Sequence, residues 1–329
     1  MIKDNKFFIE NIKNLVIFGY HENLKEIFDF TKKIRIKNFL INTNTQTQYN
    51  FKNCERINLN KLDDKFFKFC KKKINVNETI FLSLGTRYIF KKKTISFLNG
   101  NLINSHPTRL PLDKGGANIS WKIMNNDRIC NQTLHLIDEG IDTGPIIKTR
   151  TSTIPKNCIL PYEISDYQTK DQTLFLKNFI IDLKEKKKFK LTDQPSYLGT
   201  YNPRLKTIKD GLIDWRFQPL DLINFINAFD KPYLGASTYI TNKKFKKVFI
   251  RDVQLHGGEI YSHPFMSGLI QRHHRDWIIV STSSNYKLII KEVNNEKGKN
   301  IIKDLKVGDR FYSRIVELEN IKSERTIIK

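Results

Sequence analysis

Residues 100–147 read Gly100-Asn-Leu-Ile-Asn104-Ser-His106-Pro-Thr-Arg109-Leu-Pro111, pass through Lys114-Gly115-Gly116 and Trp121, and close on Leu134-His135-Leu-Ile137-Asp138-Glu-Gly140-Ile-Asp142-Thr-Gly144-Pro-Ile-Ile. An apolar run ends at Asn104 and a loop follows. This predicts a strand with Asn104 and His106 at its mouth, where an open α/β sheet builds its site. Asn104 offers an amide donor, and His106 takes or gives a proton near neutral pH. The pair suits acyl transfer, because attack on a carbonyl creates an oxyanion that needs fixed donors and releases a proton that needs a base. Asp142 is distant in sequence, but Gly140 and Gly144 let its loop fold back toward His106, where a carboxylate would orient the imidazole. His135 alternates with Leu134 and Leu136, so it points away from them and reads as structural or supporting.

Outward from this stretch, residues 15–20 form an apolar run ending in glycine, followed by an amphipathic segment at 23–30. This is the strand, turn and helix of a Rossmann-like opening. It lacks the three-glycine fingerprint of a dinucleotide site, which argues against a nicotinamide cofactor. Residues 37–42 and 78–85 read as further strands and 62–73 as a helix with a basic end, a pattern that predicts a parallel sheet covered on both faces. Helices are also expected at 119–126 and 167–186, with a break at Leu160-Pro161. Past a Pro- and Gly-containing linker at 191–206 the grammar changes. A short helix at 219–229 precedes short alternating segments at 237–241, 247–255, 268–271, 277–282 and 287–293, with a strand or loop at 310–316, which together predict a small barrel.

At 329 residues with 39% hydrophobic content the chain suffices for two globular domains. Its four cysteines, Cys54, Cys70, Cys130 and Cys158, have no paired short spacing, which argues against zinc or a disulfide framework and fits a reducing cytoplasm. No window approaches the roughly 18 apolar residues of a membrane helix, and the charged start does not read as a signal peptide. The net charge of +23 would attract a polyanion. Its lysine runs are scattered without aromatic interleaving, however, and fit a solvated surface better than a tRNA-binding one. His256, His263, His273 and His274 have no ligand partner at metal spacing, so no metal site is expected.

The Asn104-Ser-His106-Pro107 segment, the Leu110-Pro111 turn and the 140–144 loop resemble the 10-formyltetrahydrofolate-dependent formyltransferases, the group that holds the methionyl-tRNA, glycinamide ribonucleotide and sugar N-formyltransferases. The Ile213-Asp214-Trp215 and 229–236 elements resemble their C-terminal domain, so the likeness spans nearly the whole chain. The resemblance implies a Rossmann-like catalytic domain with a mostly parallel sheet at 1–190, a linker at 191–206 and a C-terminal OB-like β-barrel at 207–329. It implies Asn104, His106 and Asp142 as the catalytic set. It also implies a folate pocket walled by Gly85, Thr86, Arg87, Tyr88 and Ile89 and by Ile137, Asp138 and Gly140. Arg87 fits the folate tail or solvent equally well.

On the acceptor side, Arg109, Lys114, Gly115 and Trp121 resemble the sugar-nucleotide branch more than the tRNA branch, since Asp113 and Lys114 replace its usual aromatic residue and arginine. Lys114 with its glycines fits a phosphate or an ordinary turn, and Trp121 fits a core position better than a ligand platform. The implied reaction is formyl transfer from 10-formyltetrahydrofolate to the amine of a nucleotide-linked amino-dideoxyhexose, serving surface (lipopolysaccharide) polysaccharide synthesis. The partners are then a sugar nucleotide and the folate co-substrate, with a homodimer allowed. Methionyl-tRNA formylation is the first alternative and a non-catalytic RNA-binding protein the second.

Overall fold

The computed structural model describes residues 2–42, 51–59, 61–62, 64–86, 88–116, 118–195, 197–241, 246–258 and 260–323. They gather into two compact units. The first holds 1–115, 129–153 and 167–201, and the second holds 116–128, 154–166 and 202–329. The early segments join the second unit through local bonds: in helix Asn118–Met124, Ser120 Oγ donates to Ala228 O at 2.9 Å and Trp121 Nε1 to Pro203 O at 2.9 Å.

The first unit is built on a seven-stranded sheet in the spatial order 146–153, 129–136, 102–106, 79–83, 14–18, 37–42, 55–58. The five strands from 102–106 to 55–58 run parallel, while 129–136 and 146–153 are antiparallel additions at one edge. The central strand Asn14–Phe18 is apolar on both faces, as burial between two helical layers requires. Leu15, Ile17, Ile80, Leu82, Ile103 and Leu134 share one core with Ile27 and Phe28 of helix Leu24–Lys33 and with Phe175 and Phe179 of helix Pro161–Lys184. Val16, Phe18, Phe39, Phe81 and Leu102 share the other with Phe66 and Cys70 of helix Asp64–Lys73. Each such fully buried phenylalanine contributes about 1.5–3 kcal/mol.

This second face changes character toward the carboxyl ends of the strands. Two residues beyond Phe81 comes Ser83, and two and four beyond Leu102 come Asn104 and His106; the period of two keeps them on one face. Register then lines up Ser83 beside Asn104 and Asn104 opposite His135. A polar row is thus laid across three neighbouring strands where the apolar core stops.

Two sequence expectations are corrected. The long helix begins at Pro161, six residues before the expected start, because the Leu160-Pro161 pair opens it and does not break the chain. Proline suits a first helical turn, and Glu163 accepts there from the Ile159 and Leu160 amides at 2.8 and 2.9 Å. At the other end, the strand closes at Tyr312 and a helix, Ile315–Ser323, follows. The β-branched pair Ile315 and Val316 reads as strand from sequence, yet both are exposed and only Leu318 of that helix is buried.

The second unit carries a curled six-stranded antiparallel sheet in the order 270–273, 278–281, 286–295, 247–257, 236–240, 311–312. Its outer strands meet, since Ile270 N donates to Asp309 O at 2.9 Å and Phe311 N to Gly268 O at 2.8 Å. Gly268 permits this approach: a Cβ there would lie 2.0 Å from Phe311 O. Trp215 stacks on Phe311, their ring centroids 5.7 Å apart. Among the described residues no helix is long and apolar enough to cross a membrane.

Candidate active site

The polar row opens onto a cavity of about 470 Å³ in the first unit, a size suited to a small organic ligand. Asn104 and His106 come from strand Leu102–His106, His135 from the antiparallel neighbour, and Asp142 from the loop beyond it. The loop is cinched by its own polar groups. Asp138 Oδ1 accepts from Gly140 N at 3.1 Å and from Thr143 Oγ1 at 2.6 Å. Gly144 passes so close to the strand that a Cβ would lie 2.0 Å from Leu136 O. Asp142 adopts the left-handed region at φ 55°, a local strain held by this tight return.

The carboxylate so delivered meets three side chains. Asp142 Oδ2 is 3.4 Å from His106 Nε2, and Oδ1 is 3.4 Å from Asn104 Nδ2 and 3.7 Å from His135 Nε2. The His106 contact is an ion-pair distance without hydrogen-bond alignment. Burial lowers the His106 imidazole below its ordinary value, and Asp142 opposes that shift. Burial lowers His135 as well, down to about 4 against the pull of Asp142, so that ring is neutral at pH 7. Its Nδ1 lies 2.8 Å from Leu136 O, which only accepts, so the proton sits on Nδ1. The Nε2 lone pair then takes a hydrogen from Asn104 Nδ2 at 3.1 Å.

Of the expected folate-side residues, Gly85, Thr86, Tyr88, Ile89, Ile137, Asp138 and Gly140 all line the cavity, together with Leu84, Phe90 and Ile141. Arg87 lies outside the described residues. Tyr88 is fixed by its hydroxyl, which donates to Leu59 O, and by an edge contact to Phe18 at 6.4 Å. Arg109, Lys114, Gly115 and Trp121 are not among the lining residues: Arg109 pairs with Asp113 at 3.4 Å, and Trp121 belongs to the second unit. Lining residues that the sequence did not single out include His21, Ser83 and Gln172; His135, read as supporting, lines it too. Gln172 donates to Ser105 Oγ at 2.9 Å across the sheet's other face. Among the described residues no group of three His, Cys, Asp or Glu side chains could hold a metal.

Residues 206–306 match the formyl transferase C-terminal domain. The chain is 26% identical over 186 residues to the methionyl-tRNA formyltransferase of Thermodesulfovibrio yellowstonii, 56% of this chain and 57% of that protein. It thus spans little more than half the length of such curated relatives. In fold it is similar to an N-formyltransferase from Helicobacter canadensis solved with folinic acid and dTDP-3-aminofucose, with a TM-score of 0.59 at 18% identity, covering 85% of this chain and 99% of that one. It is likewise similar to WlaRD, a sugar 3N-formyl transferase solved with dTDP and 5-N-formyl-THF, with a TM-score of 0.56 at 20% identity, covering 85% and 98%. The chain thus carries a formyl transferase C-terminal domain at residues 206–306 and shares the fold of these N-formyltransferases, with Asn104, His106 and Asp142 brought together in its first unit.

Proposed function

We propose that this protein transfers a formyl group from 10-formyltetrahydrofolate to the primary amine of a nucleotide-linked amino sugar. The observation that carries the reading is the meeting of an amide, an imidazole and a carboxylate beside a cavity whose exposed walls are mostly apolar. Leu84, Tyr88, Ile89, Phe90, Ile137 and Ile141 suit the flat pterin of a folate, with the backbone at Gly85 and Gly140 accessible beside it.

In this reading the amine arrives neutral, because an ammonium has no lone pair. Its nitrogen attacks the formyl carbon, and the carbonyl electrons move onto oxygen. Asp142 facing Nε2 favours the His106 tautomer protonated there, which leaves the Nδ1 lone pair to take the proton released by the amine. The same proton then goes to folate N10 as the old carbon–nitrogen bond breaks. Asn104 has one amide hydrogen on His135; the other spans a long 3.4 Å to Asp142 and is the one an oxyanion would claim. The C-terminal sheet we assign to the OB-like kind of barrel, in which fold alone does not name the partner.

The choice of a sugar acceptor rests on solved sugar N-formyltransferases that this chain parallels along almost their entire length. The methionyl-tRNA reading has its own support in the sequence relative and the +23 charge. A panel of amino-sugar nucleotides plus methionyl-tRNA, followed by tetrahydrofolate release, separates the two. Turnover of a sugar nucleotide with only modest salt dependence supports the proposal. Turnover of methionyl-tRNA alone, falling steeply with ionic strength, replaces it.

A further inference from the structure

The sheet has its topological switch point between strands 14–18 and 79–83. From the first of these the chain leaves for 37–42 on one side and returns to 79–83 on the other. Ligands of open α/β sheets bind in the crevice beyond such a point. The two loops that leave it are locked together. A Cβ on Gly19 would lie 2.5 Å from Leu84 O, and one on Gly85 would lie 2.5 Å from Tyr20 O. Both glycines have positive φ, +101° and +62°, so the interlock needs these residues.

His21 stands on the first of these loops and lines the cavity that holds Asn104, His106 and Asp142. Its Cδ2 lies against Gly85, 3.8 Å from where a Cβ would be. Its Nδ1 is 3.0 Å from Asn23 Oδ1, an acceptor, so Nδ1 carries the hydrogen. Burial lowers this imidazole below its ordinary value, partly offset by the Asn23 bond. The neutral ring therefore offers one lone pair, on Nε2. The apolar residues suited to a pterin come from the 84–90 and 137–141 segments, whereas His21 belongs to neither.

On the formyl-transfer reading above, we propose that His21 is an acceptor-recognition residue, whose Nε2 accepts a hydrogen bond from the amino group or a neighbouring hydroxyl of the formyl acceptor. A ring fixed as an acceptor selects substrates that present a donor there and disfavours a bare carbonyl or phosphate oxygen at that place.

The test uses the whole chain with 10-formyltetrahydrofolate, dTDP-3-aminofucose as probe acceptor, and methionyl-tRNA in parallel. His21→Phe keeps a ring of similar shape without the lone pair, and His21→Gln restores a polar acceptor. Loss of one neutral hydrogen bond corresponds to a rise of about two- to thirteenfold in the acceptor KM for His21→Phe. Partial recovery is expected in His21→Gln, with the folate KM and folinic acid binding unchanged in both variants. A raised folate KM with an unchanged acceptor KM, or no change in either, overturns the assignment. Absence of transfer by the unaltered protein to either acceptor removes the formyl-transfer reading itself and the assignment with it, and unlike the other outcomes it shows before any variant is made.

Discussion

Asn104 and His135 stand directly opposite each other where the sheet turns from parallel to antiparallel, and Asn104 Nδ2 donates to His135 Nε2 at 3.1 Å. The neutral histidine fixes which way the amide faces, since the Leu136 carbonyl has already set the histidine's tautomer. His135→Leu should therefore leave Asn104 free to rotate. The expected result is a kcat lower by about tenfold or more, below the cost of losing an oxyanion donor outright, with the folate KM little changed. His135→Gln, whose side-chain oxygen can accept, should recover part of the loss. Equal kcat in all three proteins would reject this positioning role.

Asn104→Ala removes the proposed oxyanion donor itself. A fall of about a hundredfold to a thousandfold in kcat is expected, with folinic acid binding retained. Stopped-time assays of tetrahydrofolate release together with calorimetry of folinic acid would measure both.

The proposed base is His106, whose imidazole burial holds below the ordinary value of 6.5. The acid limb of the kcat/KM profile should accordingly lie below pH 6.5, since the ring stays neutral through neutrality. Asp142 opposes the shift, so Asp142→Asn removes an influence that raises the value. The variant's limb should move to lower pH while its plateau rate drops. A limb that moves to higher pH would contradict the pairing.

Stability should follow the same electrostatics. His135 sits at about 4 in the folded chain against 6.5 for the free side chain. The unfolded chain thus binds more protons between those values, and stability present above pH 6.5 is lost as pH falls toward 4. For this group the loss is on the order of 3 kcal/mol. Urea denaturation at pH 7 and pH 5 should show a smaller decrease for His135→Gln than for the natural protein.

In the second unit, buried Asp214 is paired with Arg216 at 2.7 Å and with Lys322 of the last helix at 3.3 Å. The Arg216 hydrogen bond leads the forces that hold its carboxyl down at about 2. Asp214→Asn should loosen helix Ile315–Ser323, seen as faster amide exchange there, with little effect on folinic acid binding.

Much of the site is legible in the sequence because its parts are local. Asn104 and His106 share a strand face by simple alternation, and Gly140 and Gly144 announce a tight loop around Asp142. The walls at 85–90 and 137–142 are implied by the family resemblance, not by the pattern of these two segments. Less legible is what depends on register. The alternation of His135 with two leucines shows that it faces away from the core, but only the pairing with strand 102–106 shows that it faces Asn104. His21 and Gln172 are remote from the motif in sequence. For His21 a usable signal exists, since it follows the first strand of an open sheet within three residues. The 161–184 helix reads short from sequence because a proline that opens a helix and one that ends a segment look alike without the Glu163 cap.

The most direct measurement is mass spectrometry of the acceptor after incubation with 10-formyltetrahydrofolate and the protein. An amino-sugar nucleotide carrying one new formyl group on nitrogen, formed by the natural chain and nearly absent with Asn104→Ala, is the predicted result. Formate released with no formylated amine, or equal product from both proteins, would contradict it.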